Sequence, residues 1–152
     1  MRLTVLLPGL TLALAGLATA QQPWRDQAIL HLEHSPQAKL KGVPLRAVKM
    51  TDGFWAGRRK ANVEVSIPTL YQEIENHGIV DNFRRLSGRK NVARRGPLYT
   101  DSDLYKWMEA VAFVLQTGDN PKLKSLMEAT ITEVIAAQEP NGYLNTYFTR
   151  EN

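Results

Sequence analysis

The residues Gly118-Asp119-Asn120-Pro121 constrain this chain more than any other four. They separate two apolar stripes of helical period, and so short a connection obliges the two helices to fold back as an antiparallel hairpin. The first stripe is Leu104, Trp107, Met108, Val111 and Leu115, entered through Thr100-Asp101-Ser102-Asp103, where several residues compete as N-cap. Gly118 is expected to end this helix in the left-handed C′ manner. Asn120-Pro121 offers a cap and a first-turn proline to the second helix, whose stripe is Leu123, Leu126, Met127, Thr130, Ile131 and Val134. Glu139-Pro140 closes that helix, because a residue preceding proline avoids helical torsions. Each helix is about 25 Å long at 1.5 Å per residue.

A hairpin places the start of its first helix beside the end of its second. Asp101, Ser102 and Asp103 are therefore expected to share a rim with Asn141, Tyr143 and Asn145 of the N-G-Y-L-N turn. Carboxylates, amides and an aromatic face at one rim suit sugar binding, with polar groups on hydroxyls and a ring on C–H faces. The same residues also suit purely structural work, since Asp and Ser favour helix starts and Asn-Gly favours turns. Both readings stand on the sequence alone.

Upstream the signals are weaker. Helical period begins at Phe54, and Pro68 must either kink that helix or open a new one with Ser66 as cap; Leu70, Tyr71 and Ile74 then form a stripe that Gly78 ends. Val43, Leu45, Ala47, Val48 and Met50 set against Pro44, Arg46 and Lys49 read as one short edge strand over Val43 to Met50. Such a strand needs partners that no later segment offers. Residues 21–42 show no period and read as a loosely ordered lead-in.

Residues 1–20 read as an export signal rather than as structure. Arg2 precedes an apolar run from Leu3 to Leu17, and Ala18-Thr19-Ala20 has the small-x-small form after which signal peptidase cuts. The run is shorter than the about 20 apolar residues that span a bilayer, and Pro8 and Gly9 interrupt it, so no stable anchor is expected. Cleavage would expose Gln21 and deliver the product to the periplasm or the medium. The chain contains no cysteine, which removes lipoprotein anchoring and disulfides together.

The formal net charge of +4, or +3 once Arg2 is lost, is too small to imply nucleic acid. Its clustering is more informative. Arg84, Arg85, Arg89, Lys90, Arg94 and Arg95 occur with no acidic residue between them, interleaved with Ser87, Gly88 and Asn91. This composition predicts a solvated loop, with attraction to an acidic polysaccharide as its alternative role; the stacking aromatics of a nucleic-acid platform are missing from it. Glu109, Glu128 and Glu133 read as solvated helix faces. His31, His34 and His77 do not have the spacing of metal ligands.

Four stretches in order, V-K-M-T-D-G-F-W-A-G-R (Val48 to Arg58), I-V-D-N-F-R (Ile79 to Arg84), Y-T-D-S-D-L-Y-K-W-M-E-A (Tyr99 to Ala110) and A-A-Q-E-P-N-G-Y-L-N-T-Y-F (Ala136 to Phe148), resemble the N-terminal part of the glycoside hydrolase family 127 catalytic domain. That family is related to family 146 and includes β-L-arabinofuranosidases. The resemblance implies an all-α domain, part of an (α/α)6 toroid over residues 43–152, preceded by a strand that would join a β-sandwich beyond this chain. It implies a carbohydrate substrate and, in full-length members, zinc held by cysteines and a glutamate, with a cysteine as nucleophile and a glutamate as acid/base. None of those groups can be carried onto this sequence. Retaining hydrolysis needs a nucleophile and an acid/base about 5 Å apart across one sugar, and no residue here takes either role. Two expectations follow: an inactive N-terminal piece of an exported glycosidase acting on arabinose-containing or similar glycans, or a non-catalytic helical module that binds a sugar or a partner.

Overall fold

The computed structural model describes residues 23–32 and 34–149; the export signal expected over residues 1–20 lies outside them. Among the described residues five α-helices form, α1 (Gly53–Ala61), α2 (Ile67–Asn76), α3 (Ile79–Leu86), α4 (Asp101–Thr117) and α5 (Pro121–Ala136). No β-strand occurs among the described residues, which are all-α as expected. No helix among them is long and apolar enough to cross a membrane.

The hairpin of α4 and α5 is present with the register its stripes require. Leu104, Trp107 and Val111 of α4 are fully buried, Leu123 and Thr130 of α5 nearly so, and Met108, Leu115, Leu126, Met127 and Val134 pack around them. Asn120 caps α5 as its residue type predicts, its Oδ1 accepting from Leu123 N at 3.1 Å. Gly118 differs from expectation. It is extended (φ 178°, ψ 168°), a conformation open to any residue, so the turn does not depend on a left-handed glycine.

Of the two outcomes open at Pro68, a new helix is the one found: α2 begins at Ile67 with Pro68 in its first turn, although Ser66 does not cap it. Ser66 is itself helical and makes no capping bond, and Asn62–Ser66 widen into a π-helical turn between α1 and α2. Pro68 has no N–H, and its ring would collide with the carbonyl four residues earlier; widening the preceding turn removes that clash while the chain continues. Ile67 and Ile74 enter the core, whereas Leu70 remains half exposed.

Two other expectations are corrected. Val43 to Met50 is not a strand: Leu45–Ala47 form a 3₁₀ turn that packs against α4. Alternation alone does not make a strand where no neighbour supplies the ladder. The basic run is not simply a solvated loop, because Arg84 and Arg85 belong to α3, whose Ile79, Val80 and Phe83 are buried. Gly78 makes the tight α2–α3 corner possible with φ of +74°, and a Cβ there would meet Arg95 Cδ at 2.8 Å.

The core lies where α2, α3, α4 and α5 meet. Trp107 sits at its centre, its ring tilted by 45° against Tyr71 with centroids 4.6 Å apart and its indole Nε1 donating to the Ile67 carbonyl at 3.0 Å. The lead-in is tied to the hairpin tip by Arg25 and Asp119 at 2.8 Å.

Candidate functional site

The open end of the hairpin collects the residues singled out from sequence, but not in the roles expected of them. Asp101 is 7% exposed and caps nothing. Its carboxylate accepts from Thr146 N at 2.8 Å and from Thr146 Oγ1 at 2.5 Å, so the side chain staples the segment after α5 onto the start of α4. The cap is unnecessary because a tight turn precedes α4: Ser102 N donates to Tyr99 O at 3.0 Å and Asp103 N to Thr100 O at 3.1 Å. Asp103 pairs with Lys106 at 3.4 Å and lines an apolar groove with Leu70, Ile74 and Pro97. Ser102 is partly exposed.

Beyond α5, the two asparagines organise their own turns. Asn141 Oδ1 accepts from Tyr143 N at 2.8 Å, and Asn145 Oδ1 accepts from Tyr147 N at 2.9 Å and Phe148 N at 3.0 Å. Gln138 Nε2 adds a bond to the Gly142 carbonyl at 2.7 Å. Tyr143, Tyr147 and Phe148 remain substantially exposed, the last two edge to face at 5.0 Å. The hairpin thus brings Asp101 to the 145–147 segment as its topology requires, while the Asn141 and Asn145 carbonyl oxygens are already engaged by backbone.

Sequence reasoning missed the charged residues that hold this end together. Arg84 binds Glu75 with both nitrogens, at 2.8 and 2.9 Å, and reaches Asp81 at 3.0 Å and Glu133 at 3.4 Å. Arg89 pairs with Glu133 at 2.8 Å and Lys90 with Asp81 at 2.6 Å, so one network joins α2, α3, α5 and the loop after α3. Asn82, fully buried, clasps the Arg95 backbone through N–H and carbonyl at 2.9 Å each. Arg85 donates to the Thr146 carbonyl at 2.9 Å, and Arg94 lies 4.9 Å above the Tyr147 ring while donating to Gly96 O and Pro97 O. The run of cations was a visible signal; its partners, up to 61 residues away, were not.

Electrostatics follow from these contacts. Burial pushes the Asp81 carboxyl up, but hydrogen bonds and charge from Lys90 and Arg84 outweigh it and hold the group below its ordinary value. The bonds from Glu75, Asp81 and Glu133 hold the Arg84 guanidinium firmly protonated against the opposing effect of burial. Tyr105 is pushed up to about 12 by burial and by the Asp101 charge.

A lowered Asp81 value contributes stability above its unfolded value of about 3.9, lost as pH falls through the folded value. Asp81→Asn is therefore expected to flatten the acid limb of a stability–pH curve, with little change at neutral pH beyond the lost ion pairs. Arg84→Met is expected to cost about 1–2 kcal/mol at neutral pH, discounted for partial exposure, and less in high salt; thermal melts across pH and salt check both.

Residues 47–152 match the profile of the β-L-arabinofuranosidase GH127 catalytic domain. The chain belongs to the GH127 family. A curated relative, the non-reducing end β-L-arabinofuranosidase of Bifidobacterium longum subsp. longum, is 30% identical over 119 residues, covering 65% of this chain and 18% of that protein. The crystal structure of a GH127 β-L-arabinofuranosidase from Geobacillus stearothermophilus T6 superposes with a TM-score of 0.65 at 33% identity, over 67% of this chain and 17% of that one. A solved GH127 β-arabinofuranosidase gives 0.61 at 35% identity, over 67% and 16%. This GH127 chain therefore spans less than a fifth of the length of these relatives.

The zinc implied for the family does not fit the residues present. The sequence has no cysteine, and among the described residues no three His, Asp or Glu side chains gather as a ligand set.

Proposed function

We propose that this chain is the leading part of an exported GH127 glycoside hydrolase acting on arabinose-containing or similar glycans, and that it contributes framework and a sugar-facing rim rather than the reacting groups. The observation that carries this reading is the match of residues 47–152 to the GH127 catalytic domain. In this reading α4 and α5 are one hairpin of an (α/α)6 toroid. In the same reading zinc, nucleophile and acid/base are supplied by other portions of the enzyme; the chain covers 18% of the curated relative. Residues 1–20 direct export, and the mature product begins at Gln21.

The site chemistry supports a framework role. Asp101 is buried under Thr146, and Asp103 lies beside Lys106, so neither stands as one of two carboxyl groups facing each other across open space. Ser102, Asp103 and Tyr143 retain exposed surface for a substrate, while Asp101, Asn141 and Asn145 hold the backbone that presents it. Exposed Phe54, Trp55, Val65 and Phe113 add an apolar surface that suits packing against further parts of the enzyme.

The test is expression with export, followed by N-terminal sequencing and an assay on a chromogenic β-L-arabinofuranoside. The expected product starts at Gln21 and gives no turnover above buffer. Turnover by this chain would overturn the assignment of the reacting groups elsewhere, and an N-terminus still at Met1 would overturn export with cleavage.

A further inference from the structure

The turn that follows α5 holds a chemically reactive pair of residues. Asn141 is followed by Gly142, and no other asparagine of the sequence precedes a glycine. An asparagine side-chain amide is open to attack by the backbone nitrogen of the next residue, and glycine, lacking Cβ, lets that nitrogen approach most closely. Both residues are exposed, and a Cβ built on Gly142, whose φ is +90°, would meet nothing nearer than Gln138 Nε2 at 3.9 Å. Water and the moving chain therefore have room. Asn91 is exposed too, but Val92 follows it, and a branched side chain crowds the same approach.

The hydrogen bonds of the turn prepare the carbonyl and restrain the nucleophile. Tyr143 N donates to Asn141 Oδ1 at 2.8 Å, which folds the side chain back over the following peptide and polarises its carbonyl toward attack. Against this, Gly142 N donates to the Glu139 carbonyl at 2.8 Å, Glu139 N to the Tyr143 carbonyl at 2.9 Å, and Gln138 Nε2 to the Gly142 carbonyl at 2.7 Å. The attacking nitrogen is released only when the bond between residues 139 and 142 opens. An exposed single turn opens far more readily than the helical core.

We propose that Asn141 is a site of spontaneous deamidation, gated by the opening of the Glu139–Gly142 turn. Gly142 N gives up its proton to solvent base and attacks Asn141 Cγ; the N–Cγ bond forms, the Cγ–Nδ2 bond breaks, and the amide nitrogen leaves as ammonia. Water then opens the cyclic imide at either carbonyl, giving aspartate or isoaspartate without any oxidant or reductant. Aspartate keeps an acceptor for Tyr143 N. Isoaspartate routes the main chain through the former side chain, which lengthens it by a methylene and removes that acceptor, so Tyr143 is no longer held at the open end of the hairpin. The site is independent of the glycosidase reading.

The experiment incubates this chain at mildly alkaline pH, folded and in urea, and follows each asparagine by peptide mapping with isoaspartyl methylation. Asn141→Gln and Gln138→Ala are run in parallel; both replaced side chains are exposed, and circular dichroism checks that helix content is kept. In the folded parent the Asn141 peptide is expected to gain the mass of amide-to-acid exchange before any other, and to divide into aspartate and isoaspartate forms. The rate should be about tenfold below that in urea, where the turn is open throughout. Gln138→Ala, which frees the Gly142 carbonyl, should speed conversion several-fold, and Asn141→Gln, whose longer side chain must close a larger ring, should abolish the signal. Earlier conversion at Asn91 would overturn the site. A folded chain that stays unmodified while the urea sample converts fully would overturn it as well. Equal rates in both samples, or no acceleration in Gln138→Ala, would overturn the gate.

Discussion

Replacing Trp107 with alanine is expected to abolish cooperative unfolding of this chain at room temperature and above. The indole is fully buried between α2 and α4, packs against Tyr71, and donates to the Ile67 carbonyl at 3.0 Å. Truncating a buried aromatic to alanine costs about 3–5 kcal/mol, combining lost transfer energy with the cavity left behind. A domain of this size has about 5–15 kcal/mol in total, so the variant falls near or below the threshold for a folded population. Trp107→Phe separates the two contributions. It keeps most of the ring but deletes the donor, and a loss of about 1–2 kcal/mol is expected, roughly 4–8 °C in the melting midpoint. A cooperative melt of Trp107→Ala close to that of the parent would show that this core does not depend on the α2–α4 junction.

Asp101→Ala is the second large effect, and it is expected to act locally before it acts globally. The carboxylate satisfies both Thr146 N and Thr146 Oγ1 in a buried position, so its removal leaves two donors without partners. Stranding such groups costs about 1–3 kcal/mol, and the bonds lost here were made to a charged acceptor. Hydrogen exchange at Thr146 should accelerate well beyond that of the α4 core amides, because the segment after α5 is released from α4. Asp101→Asn keeps an acceptor and should cost less. It should also bring Tyr105 down from about 12 by removing the neighbouring charge, which ultraviolet titration would detect. Unchanged exchange at Thr146 in Asp101→Ala would contradict the staple.

The α4–α5 hairpin could be read from the sequence because its determinants are local. A cap at Asn120, a proline at the first position and stripes of period 3.6 act within a turn or two of helix, so no distant residue had to be known. The eight-residue helix α3 could not be read this way. It lies between Gly78 and Gly88, half its residues are polar, and its short run of Ile79, Val80 and Phe83 acquires meaning only against α4 and α5. The Val43–Met50 strand was misread for the opposite reason: its alternation was genuine, but a strand is defined by its partner.

The candidate site divides in the same manner. That Asp101 would lie near Asn145 followed from hairpin topology alone. That its carboxylate would turn inward to Thr146, rather than cap its own helix, depended on the path of residues 137–149 and on the turn at Pro97–Thr100 that made the cap redundant. Likewise, the basic run was visible as charge but not as structure. Its partners Glu75, Asp81 and Glu133 stand on three different helices.

By itself, then, the sequence determined the helical class, the hairpin and, through four motifs in order, the GH127 family. Only the tertiary structure decided which carboxylates are buried supports and which cations are already paired. Backbone propensities and caps are set by neighbours three or four residues away, whereas side-chain partners 45 to 61 residues apart meet only when packing closes the intervening chain.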